Sequence, residues 1–224
     1  KNLKSLQNLE IEYNYILSQR YQEFVTLSKS LSRLPALKSL KIQLNTLDSP
    51  PSEINEITPL LSGIQRCHKL ISLRLESGPH VRNMEIPQLT SLLKNLTNLQ
   101  VLDLDLGAWN CGSKNSLIPG LTYLKSLIAL NLKFVLNSMT RIDLNRDDMK
   151  SLMATLKNCA SLKKLGIEFS SPDITESFFL LLKDLKSLDS LHISLIQSLF
   201  ITDKVFQTLS ESLQCLISLK SFSL

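Results

Sequence analysis

Two aspartates, Asp103 and Asp105, stand one residue apart in the segment Leu102-Asp103-Leu104-Asp105, and in an extended strand such spacing sends both carboxylates to the same side. A pair of this kind can attract a cation, but Ca²⁺ takes six to eight oxygen ligands, and two carboxylates fall far short of that. The histidines His68, His80 and His192 are widely separated, and the chain has no glycine-rich phosphate loop, no nucleophile elbow and no paired-carboxylate motif. The expectation is therefore a protein that is not an enzyme, with no metal and no cofactor. The four cysteines have neither CxxC nor Cys/His ligand spacing. Cys67 and Cys159 each precede by three residues a leucine that opens an apolar phrase, the place that Leu96, Leu124 and Leu185 take elsewhere. They read as small core residues, and the scarcity of cysteine favours a reducing, cytoplasmic compartment. The sequon Asn95-Leu96-Thr97 is weak, because its middle residue is itself one of these apolar positions.

What positions such residues is a repeat. The phrase LxxLxLxL, with Ile or an aromatic allowed, returns eight times, centred on Leu9/Ile11, Leu40/Ile42, Leu73/Leu75, Leu102/Leu104, Leu130/Leu132, Leu165/Ile167, Leu191/Ile193 and Phe222/Leu224. The steps between first members are 31, 33, 29, 28, 35, 26 and 31 residues. A period in this range signals stacked units that contact only their neighbours. Leucine supplies 49 of the 224 residues and glycine 6, so apolar material for a continuous core is plentiful. No uninterrupted apolar run reaches the roughly eighteen residues that a membrane-spanning helix needs.

Within each phrase apolar residues alternate, as in Leu40-Lys41-Ile42-Gln43-Leu44, which predicts a strand with one buried face. Between phrases the period changes. Tyr21, Phe24, Val25, Leu27, Leu31 and Leu34 within 19–34 fall mostly three or four apart, as do Phe178, Leu181, Leu182 and Leu185, and Phe206, Leu209, Leu213 and Leu216. These stripes predict helices. Ser52, Asn145, Thr175 and Thr202 mark their starts, with Glu53, Asp147, Asp148, Glu176 and Asp203 in the first turns.

Strand–helix–strand units with parallel strands cross over in the right-handed sense. Strands sit about 4.8 Å apart and helices about 10 Å apart, so a stack of both must bend with its strands inside. The expected fold is an α/β right-handed solenoid, a horseshoe with a parallel concave sheet and helices on the convex side. It resembles the leucine-rich repeat family, and its unit length near thirty resembles the ribonuclease-inhibitor-like subclass. Asn14 and Asn45 match the family's asparagine after the strand, but Gly78, Gly107, Val135, Ser170 and Ile196 occupy the corresponding places later, a departure that marks the chain as divergent. Residues 1–224 read as one domain of about eight repeats. With Leu3, Leu6 and Leu9 already in phase, the domain is expected to be a piece of a longer chain.

On that fold the residues between the anchors form two rows on the concave face. The first is Glu10, Lys41, Arg74, Asp103, Asn131, Gly166, His192 and Ser223; the second is Glu12, Gln43, Glu76, Asp105, Lys133, Glu168 and Ser194. Acids outnumber bases there although the whole chain carries +5, so the face could draw in a protein partner with a basic surface. Compensation between strands, Glu10 with Lys41 and Arg74 with Asp103, is the competing expectation. The candidate contact residues are Glu10, Glu12, Lys41, Arg74, Glu76, Asp103, Asp105, Lys133, Glu168 and His192, joined by Trp109. Trp109 is the one tryptophan and lies in a variable loop, 107–116; the loops 46–53, 77–85 and 135–145 gather with it on one rim.

The basic excess is explained by Arg33, Arg66, Lys94, Lys157 and Lys183, all near expected helix C-termini where positive charge complements the dipole. Few aromatics are available to stack on bases, so nucleic acid is not an expected partner. The functional expectation is a non-enzymatic protein-binding scaffold. Alternatives from different classes are a recruitment or regulatory module for an enzyme (a ubiquitin-ligase adaptor, or a regulator of a GTPase or nuclease) and an architectural subunit of a large assembly.

Overall fold

Every apolar phrase forms a strand, and every interval between phrases holds a helix. The computed structural model describes residues 3–15, 21–46, 57–77, 86–105, 117–134, 146–169, 172–195 and 202–224. The order is β1 (Asn8–Tyr15), α1 (Tyr21–Leu31), β2 (Ser39–Thr46), α2 (Thr58–Ile64), β3 (Ser72–Ser77), α3 (Ile86–Asn95), β4 (Val101–Asp105), α4 (Leu117–Leu121), β5 (Ala129–Phe134), α5 (Arg146–Lys157), β6 (Lys164–Phe169), α6 (Pro172–Leu182), β7 (Ser190–Leu195), α7 (Asp203–Gln214) and β8 (Ser221–Ser223).

The strands make one parallel sheet whose spatial order is the chain order, β1 to β8. Register follows the repeat without slippage. Leu9, Leu40, Leu73, Leu102, Leu130, Leu165, Leu191 and Phe222 are successive partners. Ile11, Ile42, Leu75, Leu104, Leu132, Ile167 and Ile193 form the next row. Because side chains alternate across a strand, a slip of one residue would turn both apolar rows out to water. From β2 to β7 these anchors are buried, and with the inner sides of the helices they make one continuous core.

A turn of common design leads into each strand. The amide of Leu37 donates to the Leu34 carbonyl, and Leu70, Leu99, Leu127, Leu162, Leu188 and Leu219 likewise donate to the carbonyl three residues back. In two of these turns the carbonyl belongs to Cys67 or Cys159, both buried, which puts the thiols in the leucine slot as expected. Neighbouring turns are laced together. Ile71 and Ser72 N–H both donate to the Lys38 carbonyl, and Gln100 and Val101 N–H to that of Ile71; the pattern recurs at Gln100, Ile128, Lys163 and Asp189. This ladder satisfies backbone groups that the helix and strand leave open at their junction.

Helix starts depart from expectation at two places. Thr175 lies inside α6, which begins at Pro172, where a proline suits the first turn because its absent N–H would have no partner. Thr202 does precede α7 in extended conformation, yet its side chain makes no capping hydrogen bond. In α2 the residue before the first turn is Ile57, again without a side-chain cap and with proline in the first turn. Ser52 and Asn145 lie outside the described residues, as do the rim loops apart from Thr46 and Ser77, which end β2 and β3. Lys94 and Lys157 sit in the last turns of α3 and α5, as the dipole argument requires.

Two helices are short and carry glycine at a contact. A Cβ on Gly63 of α2 would lie 2.5 Å from the Cα of Ser28 in α1. One on Gly120 of α4 would lie 3.1 Å from the Cα of Thr90 in α3. The absent side chains let these neighbours touch backbone to backbone.

Candidate functional site

The outward face of the sheet collects the sequence-selected charges in the expected rows. Glu10, Lys41, Arg74, Asp103, Asn131, Gly166, His192 and Ser223 are register partners from β1 to β8. In the second row Glu12 pairs with Gln43 and Gln43 with Glu76, while Asp105 pairs with Lys133, Lys133 with Glu168 and Glu168 with Ser194.

The first row is a chain of polar contacts. Lys41 donates to Glu10 across β1 and β2. That hydrogen bond is the main reason the Lys41 ammonium holds its proton more tightly than an ordinary lysine, with the negative charges of Glu10 and Glu76 adding to it. The Nε of Arg74 lies 2.9 Å from Glu76 Oε1 and 2.7 Å from Asp103 Oδ2, one donor group facing two carboxylates. Asp103 accepts a further bond on its other oxygen from Asn131 Nδ2, at 2.9 Å. At the far end His192 Nδ1 and Ser223 Oγ are 2.6 Å apart.

Both expected compensations are therefore formed, and the cluster Glu76, Asp103 and Arg74 is internally neutralised in part. At least one partner of each pair is well exposed to solvent, so the pairs add little to stability. Their effect is to hold side chains in place. Glu12 and Asp105 also interact with other groups. Trp109 lies outside the described residues.

Charge is distributed unevenly along the face. β1 to β4 present five carboxylates (Glu10, Glu12, Glu76, Asp103, Asp105) with two cations (Lys41, Arg74), whereas β5 to β7 present one carboxylate (Glu168) with two cations (Lys133, Lys164). The acidic character thus belongs to the first half of the sheet. Two shallow depressions lie on this face of the sheet, one of about 400 Å³ over Glu10, Lys41 and Arg74 in its first half, the other of about 300 Å³ around Gly166 in its second. A third, about 470 Å³, opens between β1 and α1 and is lined by Ile11, Tyr13, Phe24 and Leu27.

The sequence places Asn131, Gly166 and Ser223 in the row, but their roles there are not legible from it. Asn131 and Ser223 hold two of the charged or titratable members, and Gly166 makes room for Asn131. The missed signal was the lone glycine in the row. Among the described residues no three His, Cys, Asp or Glu side chains are grouped to hold a metal. No described helix is long and apolar enough to cross a membrane.

No family model matches the chain, and no curated protein does. Solved structures do. A Bacteroides fragilis protein solved by a structural genomics consortium is 15% identical, with a TM-score of 0.43 over 94% of this chain and 73% of that one. A chain from the TLR13–ssRNA13 complex is 16% identical, with a TM-score of 0.36 over 98% of this chain and 36% of its own length. The repeat assignment rests on the architecture itself: eight parallel strands in chain order, alternating with seven helices among the described residues, which fits a solenoid similar to leucine-rich repeats.

Proposed function

We propose that this chain is a non-enzymatic leucine-rich-repeat scaffold that docks a protein partner on the outward face of its sheet. The observation that carries the reading is the unbroken register of that face, where charged and polar side chains run from Glu10 to Ser223 and several hold one another in fixed positions. Fixed side chains lose little freedom on binding, which favours a docking surface over a merely solvated one. The partner we propose has a basic surface, seated over β1 to β4 with Asp103, Asp105 and Glu76 beneath it. Nucleic acid and membrane are not proposed partners.

The finer fold reading belongs to this proposal. It is one domain, a right-handed horseshoe of the ribonuclease-inhibitor-like subclass with the sheet concave. The handedness rule for parallel crossovers and the greater width of helices than strands support it. The proposed compartment is cytoplasmic, and the buried free thiols Cys67 and Cys159 are in keeping with that.

A second reading, an enzyme-recruiting or regulatory module or an architectural subunit, draws support from the helix side. Leu180 of α6 is 50% exposed and Phe206 of α7 46% exposed, and Ile217 beyond α7 is 84% exposed. Such residues suit contacts made away from the sheet.

Charge reversal separates the two. Affinity capture from cell extract with the full chain, read by quantitative mass spectrometry, should lose its main partner in the Asp103→Lys/Asp105→Lys variant and keep it in Leu180→Ser/Phe206→Ser. Unchanged capture by the charge-reversed protein, folded by circular dichroism, would refute docking on this face.

A further inference from the structure

Gly166 interrupts the first row, being its one member without a side chain. The depression of about 300 Å³ at this point is lined by Val101, Ala129, Asn131, Lys164, Ser190 and His192, among others. Its polar groups are arranged unequally. Asn131 donates its Nδ2 to Asp103 Oδ1, and a carboxylate only accepts, so the amide nitrogen must face Asp103 and the carbonyl oxygen must face the other way. That oxygen hangs over Gly166, where any Cβ would collide with it. Among the described residues nothing donates to it. Lys164, two residues before Gly166 on β6 and also lining the depression, is exposed and forms no ion pair among the described residues. His192, the register partner of Gly166, has Nδ1 engaged by Ser223 and Nε2 as its second polar atom.

The depression is therefore lined by a fixed acceptor and a cation, its carboxylate, Asp103, being already paired with Arg74 and Asn131. A carboxylate would be drawn to Lys164 but would meet the lone pairs of Asn131. An ammonium would suit Asn131 but would be repelled by Lys164. A carboxamide satisfies both, giving N–H to Asn131 Oδ1 and C=O to Lys164, while Val101 and Ala129 receive its methylene carbons. We propose that the Gly166 notch is a subsite for an Asn or Gln side chain of the docked protein. It rests on the proposed docking role of this face and adds what its C-terminal half reads.

The test uses the full chain and three small probes, the N-acetyl N-methylamides of glutamine, glutamate and lysine, titrated while the side-chain amide of Asn131 and the ring of His192 are followed by NMR. The glutamine probe should bind weakly, on the order of millimolar, and roughly fivefold more tightly than the other two, the effect of about one hydrogen bond. Gly166→Ala should abolish the preference by displacing the Asn131 carbonyl. Lys164→Met, at an exposed position that leaves folding intact, should weaken the glutamine probe by roughly fivefold. Equal or better binding of glutamate or lysine, or no shift at Asn131 and His192 with any probe, overturns the proposal. The wider docking role is read separately, by the charge reversal at Asp103 and Asp105.

Discussion

Replacing Gly63 by alanine tests how closely successive helices must approach for the strands behind them to stay paired. The new methyl would sit 2.5 Å from Ser28 Cα, 2.7 Å from its Oγ and 2.9 Å from its Cβ, and the nearest of these is backbone. Rotating a side chain cannot relieve it, so α1 and α2 must separate. Overpacking of this kind costs about 1–3 kcal/mol, against a gain of about 1 kcal/mol from alanine's better helix propensity. The expected net loss is about 0–2 kcal/mol. Gly120 provides the internal control, since its Cβ would meet Thr90 Cα at 3.1 Å and Leu93 side-chain atoms at 3.2 and 3.3 Å, contacts that a few tenths of an ångström would relax. There the two terms nearly cancel, and Gly120→Ala should fall within about 1 kcal/mol of wild type. Urea denaturation of both variants, followed by circular dichroism, gives the comparison. Ser28→Gly combined with Gly63→Ala should recover little, because the Cα remains in place. A stabilised Gly63→Ala, or full rescue by Ser28→Gly, would refute the backbone-contact argument.

The alternation within strands predicts that Leu102→Ala, at a position 0% exposed, costs about 2–5 kcal/mol, whereas Val101→Ala, 38% exposed one residue earlier, costs less than about 1 kcal/mol; equal losses in denaturant titrations would mean the wrong face is buried. Burial pushes the Cys67 thiol from the ordinary 9.0 up to about 11, so the folded state keeps a proton that the unfolded chain releases. Its contribution is fully present below about pH 9 and is lost as pH rises toward 11, on the order of 2 kcal/mol. Denaturation midpoints of wild type should fall more steeply than those of Cys67→Ala over that interval, and parallel slopes would contradict the burial; the exposed Cys215 should react with thiol reagents long before Cys67.

Much of the candidate face is legible in the sequence. Positions two apart in a strand share a side, so the rows from Glu10 to Ser223 and from Glu12 to Ser194 followed from alternation alone, as did the pairing of Lys41 with Glu10 and of Arg74 with Asp103. Asn131 and Gly166 were visible as members of a row but not as partners. Their relation depends on which way an amide turns, and that is set by Asp103 on the neighbouring strand. Helix starts were less legible, as Thr175 shows: capping residues also occur inside helices, and Pro172 set the true beginning.

Periodic burial of leucine by itself determined the order of strands and helices, the parallel register and the identity of the core, because a pattern repeated every thirty or so residues admits only neighbour-to-neighbour stacking. The tertiary structure alone decided the backbone contact at Gly63, the doubly accepting carbonyls that lace one turn to the next, and the contact that turns the Asn131 carbonyl toward Gly166. Each of these depends on distances between atoms in different repeats, and such distances are fixed only once neighbouring units have packed.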